Sequence, residues 1–231
     1  MRTFKLFLVF LFLSHFSSAQ DTETRDLSAF SSLSSSGSFK VYLEKGNEEQ
    51  VRIVAKGIDL EDIETEVQGK QLKIKPRRKN SGWGGYRNMD VKIYVSYRTL
   101  ESVELHGSGS ILARSALESD ELKLEIHGSG DIEAQVKADE LDLEIHGSGD
   151  MNIRGKADMA HTQIHGSGDI EAYTLKVSTL KASIHGSGDL EIAVSDEIDA
   201  KIYGSGSLRY KGKPSREYVK THGSGEARRI D

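Results

Sequence analysis

The chain has 231 residues, a formal net charge of −5 and no cysteine. This length allows one or two domains with a substantial core. The lack of cysteine excludes disulfide bonds, thiol catalysis and cysteine-based zinc sites. The acidic balance argues against nucleic acid as a partner, because binding to phosphates requires a basic stripe on the protein.

The N-terminus has the pattern of an export signal. Arg2 and Lys5 give a short basic start, Leu6–Leu13 is an unbroken apolar run, and small residues precede Gln20. An apolar run of this length is far shorter than the roughly 20 residues that cross a bilayer. We therefore expect residues 1–19 to be a cleaved signal peptide. The mature chain is then secreted, with no transmembrane segment, to the periplasm, the cell surface or the medium.

The rest of the chain is dominated by a repeated tetrapeptide. His-Gly-Ser-Gly, with one Tyr-Gly-Ser-Gly variant, recurs at intervals of 18 to 21 residues. The copies begin at His106, His127, His146, His165, His185, Tyr203 and His222. Asp follows four of them, at Asp131, Asp150, Asp169 and Asp189. Self-similarity at a fixed period of about 19 residues is typical of a repeat architecture.

Apolar and polar residues alternate on both sides of each copy. Leu122, Leu124 and Ile126 alternate with Lys123 and Glu125 before the second copy. A period of two residues predicts a β-strand with one buried face, and it is incompatible with a helix. Glycine is needed where φ is positive or where a neighbouring strand passes close by, so we interpret the Gly-Ser-Gly triplets as structural turns.

Two all-β architectures fit a repeat of strand, glycine turn, strand and polar turn. An antiparallel meander of so many short strands leaves one wide sheet with an uncovered apolar face. A β-solenoid, similar to a parallel β-helix with coils of about 19 residues, buries that face against the opposite strand of each coil. The sequence therefore favours the solenoid.

Residues 27–100 precede the repeats and are also predicted to be mostly strands, in an irregular arrangement. The alternating segments are Phe39–Leu43, Val51–Val54, Leu72–Ile74 and Val91–Val95, and Ile58–Ile63 is a candidate for a short helical turn. Ser36–Phe39 resembles a degenerate first copy, so this segment is expected to cap the solenoid. No linker separates the halves, and we predict a single body over residues 20–231, with the repeats in 101–229.

These motifs resemble a known family. The matching triplets are Gly107–Gly109, Gly128–Gly130, Gly147–Gly149, Gly166–Gly168, Gly186–Gly188, Gly204–Gly206 and Gly223–Gly225, and Tyr210–Pro214 matches as well. With them the chain is similar, over about residues 27–229, to the secreted bacterial GIN domain, labelled as the head domain of auto-transporter adhesins. The resemblance implies a β-helical fold and an adhesin-type role, and it implies no catalytic residues.

The histidines of the repeats are the candidate metal ligands. If the coils stack about 4.8 Å apart, the histidines form one surface column, which could offer nitrogen ligands to Zn²⁺, Ni²⁺ or Cu²⁺. Its members are His106, His127, His146, His165, His185 and His222. Two nitrogens make a weak site without a carboxylate in reach, so we predict no metal centre and no cofactor. Stacked imidazoles repel each other when protonated, which predicts lowered pKa values and lower stability in mild acid.

One loop in the N-terminal segment concentrates aromatic and basic residues. Residues 75–87 contain the single Trp of the chain and five basic residues. Aromatic rings beside Arg and Lys can hold sugar rings or an anionic glycan. We predict ligand contacts for Trp83, Tyr86, Arg77, Arg78 and Arg87. The alternative is a solvated hairpin tip.

The repeats argue for a scaffold and against catalysis. Seven equivalent Ser residues beside the column cannot supply the one distinct constellation of an active site. We predict a secreted, non-enzymatic, adhesin-like interaction or scaffold module of the cell envelope, whose partner is a glycan or a protein. The alternatives are an enzyme that acts on extracellular polysaccharide through outer carboxylates and a periplasmic metal-binding protein that uses the histidine column. A homo-oligomer is compatible with exposed solenoid ends.

Overall fold

The computed structural model describes residues 21–77 and 89–230. Within these ranges the chain forms eighteen β-strands and one short 3-10 helix, Leu60–Asp62, which lies in the predicted helical turn. The strands are β1 (Asp21–Asp26), β2 (Ser32–Gly37), β3 (Lys40–Lys45), β4 (Gln50–Lys56), β5 (Ile63–Gln68), β6 (Gln71–Pro76), β7 (Asp90–Tyr97), β8 (Ser102–Gly107), β9 (Ser110–Ala113), β10 (Leu117–Glu118), β11 (Glu121–Gly128), β12 (Asp131–Gly147), β13 (Met151–Gly166), β14 (Ile170–Gly186), β15 (Leu190–Gly204), β16 (Ser207–Lys211), β17 (Arg216–Gly223) and β18 (Glu226–Arg229). No helix in the described part of the chain is long and apolar enough to cross a membrane.

The repeats form a β-solenoid of about 7 turns with a spacing of about 19 residues. β11 pairs in parallel with β8 on one side and β12 on the other, so that His127 lies opposite His106 and His146. Parallel pairing continues from β12 to β18, with shifts of register between β13 and β14 and between β14 and β15. Because like positions of successive coils are parallel neighbours, the solenoid prediction is confirmed and the antiparallel meander is wrong.

Each coil has two strands joined at the Gly-Ser-Gly corner. β12, β13, β14 and β15 also continue around the opposite corner without a break, so each supplies the second strand of one coil and the first strand of the next. The inward residues are nearly all apolar and buried, and Leu122, Leu124 and Ile126 are at most 2% exposed. Full burial of one Leu or Ile side chain contributes about 1.5–3 kcal/mol to stability, so these rows hold the coils together.

Two glycines of one turn show why the triplet repeats. Gly147 has a φ of +141°, which L side chains rarely adopt, and a Cβ there would overlap the carbonyl oxygen of Gly128 one coil below. Gly149 lacks a positive φ, yet a Cβ on it would overlap the carbonyl oxygen of Gly130. The first glycine is required by conformation and close approach, and the last by close approach alone.

The N-terminal segment extends the solenoid and then ends it. β2 and β3 form a coil in register with the repeats, with Gly37 opposite Gly107 as the degenerate first copy predicts. β6 and β7 add a further parallel coil. Antiparallel strands then complete this end, with β5 on β6, β4 on β7 and β1 on β4. The predicted capping role agrees with this arrangement, whereas the order of the strands and the existence of β1 were not predicted.

The last coil, at the C-terminal end, carries polar residues at inward positions. In β17 the inward positions carry Glu217, Val219 and Thr221, opposite the buried Ile198, Ala200 and Ile202 of β15. Every residue of β17 is exposed. Two of the three inward positions in the last coil are therefore polar, where the preceding coil has apolar core residues.

Candidate functional site

The predicted histidine column exists. Consecutive rings from His106 to His185 stack with centroids 4.8 to 5.1 Å apart and planes within 10° of parallel. Tyr203 continues the stack between His185 and His222, at 4.7 and 5.1 Å. Residues two positions apart on a strand point to the same face, so the residue two before each histidine forms a second column alongside.

That second column changes character along the rod. In three successive coils it is glutamate, and Glu104, Glu125 and Glu144 precede His106, His127 and His146. In the later coils it is uncharged or basic, namely Gln163, Ser183, Lys201 and Lys220. One half of the histidine column therefore has carboxylates beside it and the other half does not.

Glu125 and His127 make the closest contact of the acidic half. Their Oε1 and Nε2 atoms are 2.6 Å apart, while the other oxygen of Glu125 lies 3.0 Å from Nζ of Lys123. Burial alone would raise the pKa of Glu125, but the hydrogen bonds from Lys123 and His127 outweigh burial, and the pKa is lowered. Glu125 is therefore an ionised, largely buried carboxylate aimed at an imidazole.

Lys123 connects two coils. Its Nζ also lies 3.1 Å from Glu144, whose second oxygen is 3.7 Å from Nε2 of His146. Burial would lower the pKa of Lys123, yet the hydrogen bonds to the two glutamates outweigh burial and raise it. We call the set Glu125, His127 and His146 the Glu-x-His cluster, because their ligand atoms all lie within 4.8 Å of one another.

A shallow groove lies beside this cluster. It has a volume of about 810 Å³ and is lined by Glu101, Ser119, Asp120, Glu121, Leu122, Lys123, Glu140 and Asp142. Burial, and then the neighbouring carboxylates Glu140 and Glu144, raise the pKa of Asp142 against the opposing effect of His161. Nε2 of His161 lies 3.2 Å from Glu140. The groove thus holds a concentration of carboxylates with one perturbed acid.

The aspartates that follow the turns have a structural role. The carboxylates of Asp150, Asp169 and Asp189 each accept a hydrogen bond from the backbone N–H of the equivalent residue in the next coil, at 2.7 to 2.8 Å. Asp189 also receives a hydrogen bond from Arg209. These carboxylates stabilise the stacking of the turns.

A third exposed cluster was not predicted from the sequence. The rings of Tyr42 and Tyr94 stack at 4.9 Å between centroids. Cζ of Arg52 lies 4.1 Å from the Tyr94 centroid, and Cζ of Arg114 lies 4.4 Å from the Tyr42 centroid. β3, β4 and β7 supply Tyr42, Arg52 and Tyr94, and Arg114 follows the end of β9 directly; we call these four residues the tyrosine–arginine cluster. Only the pairing of β7 between β3 and β4 brings them together.

The two arginines of this cluster have no acidic partner in the part of the chain that the structure describes. Within residues 21–77 and 89–230, neither Arg52 nor Arg114 forms an ion pair with a carboxylate, whereas Arg154, Arg209 and Arg216 each do. A guanidinium stacked on a ring keeps its N–H edge available for a carboxylate, sulfate or phosphate group. The cluster can therefore bind an anion beside an aromatic surface.

Most of the predicted contact loop lies outside the described residues. This applies to Trp83, Tyr86, Arg78 and Arg87. Arg77 lines a separate depression of about 470 Å³ at the N-terminal end, together with Glu23, Arg25, Glu61, Ile63, Glu64, Thr65 and Glu66. The described strands on either side of the loop are β6 and β7, so its ends lie where the other coils have their glycine turn. β7 then carries Tyr94 of the tyrosine–arginine cluster.

Solved structures share this fold. A putative adhesin from Bacteroides fragilis superposes with a TM-score of 0.83 and 24% identity, covering 93% of this chain and 98% of that chain. A "putative lipid binding protein" from Parabacteroides distasonis gives a TM-score of 0.74 and 23% identity at the same coverage. A putative adhesin from Parabacteroides merdae gives 0.72 and 21%, again at the same coverage. At these identities the likeness shows the fold alone.

Comparison with curated proteins gives no match. A family model does match, over residues 29–214, and its description is "Putative auto-transporter adhesin, head GIN domain". This range covers most of the N-terminal strands and all but the last of the Gly-Ser-Gly turns. The resemblance drawn from those turns is thereby confirmed, and the chain belongs to the family of adhesin-like GIN head domains.

Proposed function

We propose that this protein is a secreted, non-enzymatic interaction module of the cell envelope that binds an anionic glycan through the tyrosine–arginine cluster. The observation that supports this is the pair of guanidinium groups, Arg52 and Arg114, held on stacked tyrosine rings without acidic partners among the described residues. Secretion is supported by the signal pattern of residues 1–19, and the adhesin-like role by the family.

The chemistry of the cluster selects the class of ligand. The ring stack gives an amphipathic surface against which a sugar can lie, and the two guanidinium groups provide charged donors for carboxylate or sulfate groups. Lys40 and Lys92 are paired neighbours two residues before Tyr42 and Tyr94 on the same strands. Lys40 adds further positive charge, whereas Nζ of Lys92 lies 3.6 Å from the carboxylate of Asp90. A polyanionic chain could contact Arg52, Arg114 and Lys40 in an otherwise acidic protein.

We propose that the loop predicted to contact ligand acts together with this cluster. Its C-terminal end enters β7 two residues before Lys92 and four before Tyr94. Because the loop leads directly into the strand that carries Tyr94, it is tested alongside the cluster.

The experiment measures retention of the mature chain on dextran sulfate, with neutral dextran of equal length as the control polymer. We expect the parent chain to bind dextran sulfate, and this binding to weaken as the salt concentration rises, because salt screens exposed charges. We expect the Arg52→Gln/Arg114→Gln variant to lose at least tenfold in affinity. The matched control is Lys211→Gln/Lys220→Gln. It removes the same charge from two lysines that also lie over tyrosine rings, at the other end of the rod.

Two results would contradict the proposal. Equal retention on neutral dextran would show that charge does not select the ligand, and equal losses for the two double variants would show that only net charge matters. Trp83→Ala tests the loop separately.

The groove of carboxylates favours one second candidate, an enzyme that cleaves polysaccharide. Asp142, whose pKa is raised, lies among other carboxylates, as the acid of a glycosidase does. Assaying the same incubations for released reducing sugar distinguishes the two functions. If reducing sugar is released and Asp142→Asn abolishes the release, the protein is an enzyme and not a binding module.

A further inference from the structure

We propose that the Glu-x-His cluster, Glu125, His127 and His146, is a binding site for one divalent transition-metal ion of the zinc type. This inference is independent of the glycan proposal, because it concerns the opposite strand of each coil and a different ligand. It replaces the sequence-based expectation of no metal site, which depended on the lack of a carboxylate near the histidines.

The spacing of the three ligands follows from the fold. Glu125 and His127 lie two residues apart on β11 and therefore point to the same face. His146 is the direct parallel neighbour of His127 on β12. Two nitrogens and one carboxylate oxygen are a donor set that zinc takes in proteins, and here all three atoms lie within 4.8 Å of one another.

Lys123 prepares the carboxylate for this role. It holds Oε2 of Glu125 at 3.0 Å, which leaves Oε1 directed at the ring of His127. Outer-shell partners of this kind orient the ligands of metal sites.

Binding requires a small movement of exposed side chains. A metal with bonds of about 2.0–2.1 Å lies in the plane of each coordinating imidazole. The rings of His127 and His146 are nearly parallel and 4.9 Å apart, so they must turn towards each other. Both side chains are about 40% exposed, at 40% and 39%, so the core does not oppose this rotation.

The chain contains its own control for this site. His165 and His185 stack at the same spacing, but Gln163 and Ser183 stand where the glutamates would be. If imidazole stacking alone held the metal, these positions would bind equally well. If the carboxylate is required, they would not.

The experiment titrates Zn²⁺ into the untagged mature chain by calorimetry, with Ca²⁺ and Mg²⁺ as comparison ions. We expect one Zn²⁺ per chain and no comparable binding of the two hard ions, which prefer oxygen ligands. We expect His127→Ala and His146→Ala to weaken binding at least tenfold. Glu125→Gln keeps the shape of the side chain and should give a similar loss, and His165→Ala/His185→Ala should stay within twofold of the parent. Circular dichroism confirms that each variant is folded.

Three outcomes would overturn the proposal. The parent chain does not bind Zn²⁺, or Glu125→Gln binds as the parent does, or the His165/His185 variant loses as much affinity as His127→Ala. Because Glu140, Asp142 and His161 form a second group with ligand atoms within 4.8 Å, His161→Ala is included. Loss of the site in that variant alone would assign the metal to the neighbouring group and not to the Glu-x-His cluster.

Discussion

The carboxylate of Asp150 accepts a hydrogen bond from the backbone N–H of Asp169, 2.8 Å away and one coil further along the rod. Asp169 repeats the contact with the N–H of Asp189 at 2.7 Å. Each aspartate therefore fixes the position of the next turn. This gives three of the four aspartates that follow the glycine triplets, Asp150, Asp169 and Asp189, a structural role.

Asp169→Ala should destabilise the fold by about 1 kcal/mol. The substitution removes the acceptor for the N–H of Asp189, and a typical intramolecular hydrogen bond contributes 0.5–1.5 kcal/mol. Asp169→Asn retains an oxygen acceptor and should lose less than half as much. Urea unfolding followed by circular dichroism measures both free energies. Equal losses for the two variants would show that the charge of Asp169 matters and the ladder of hydrogen bonds does not.

Gly149→Ala should be among the most damaging single substitutions in the chain. Its Cβ would overlap the backbone carbonyl oxygen of Gly130, which cannot move without separating two coils. We expect a loss of more than about 3 kcal/mol or failure to fold, as for other severe packing conflicts. The control is Gly69→Ala, where φ is +65° but nothing lies within 4 Å of the added Cβ. That variant should lose about 1–2 kcal/mol from backbone strain alone, and similar losses at both sites would refute the close-approach explanation.

The stability of the protein should fall between pH 7 and pH 5. Burial, followed by the charges of His185 and His146, lowers the pKa of His165 below its ordinary value of 6.5, and Glu144 opposes this only in part. Below pH 6.5 the unfolded chain then binds more protons than the folded chain. The free energy of unfolding therefore decreases as the pH falls through 6.5 towards the lower folded pKa.

His165→Gln should reduce this loss on acidification, measured as the difference between the melting temperatures at pH 7 and pH 5. His222→Gln is the matched control, since Tyr203 and not a histidine stacks on His222. A parent whose melting temperature is the same at both pH values would refute the prediction. So would an equal effect of the two substitutions.

The repeating part of the fold could be predicted because its signals are local. Alternation with period two gives the strands, and identical turns at about 19-residue intervals give the stacking. The ring spacing of 4.7 to 5.1 Å in the histidine column follows from the strand spacing alone. The carboxylate next to His127 was also visible in the sequence, since Glu125 lies two residues earlier on the same strand face.

The N-terminal end could not be predicted in the same way. β1 has no apolar alternation, because it is an edge strand whose residues are largely exposed. Tyr42 and Tyr94 are 52 residues apart in the sequence. They meet only because β7 pairs with β3, although β4, β5 and β6 lie between them along the chain. Such non-local pairing leaves no periodic signal, so the tyrosine–arginine cluster emerged only from the structure.

Glu217→Leu should promote self-association of the rod through its C-terminal end. Glu217 occupies an inward position of the last coil opposite the buried Ile198, and it accepts a hydrogen bond from the hydroxyl of Tyr210 at 2.8 Å. Burial, together with this bond to Glu217, raises the pKa of Tyr210 to about 12. A charge at an exposed sheet edge prevents the addition of further strands. Leucine removes that charge and extends the apolar core to the exposed strand β17. Sedimentation velocity over a range of concentrations should therefore show more dimer or larger species than for the parent.

Glu226→Leu is the control, because Glu226 lies opposite Ser207 and not opposite a core residue. If both variants sediment as the parent does, the polar residues of the last coil do not protect this end from association.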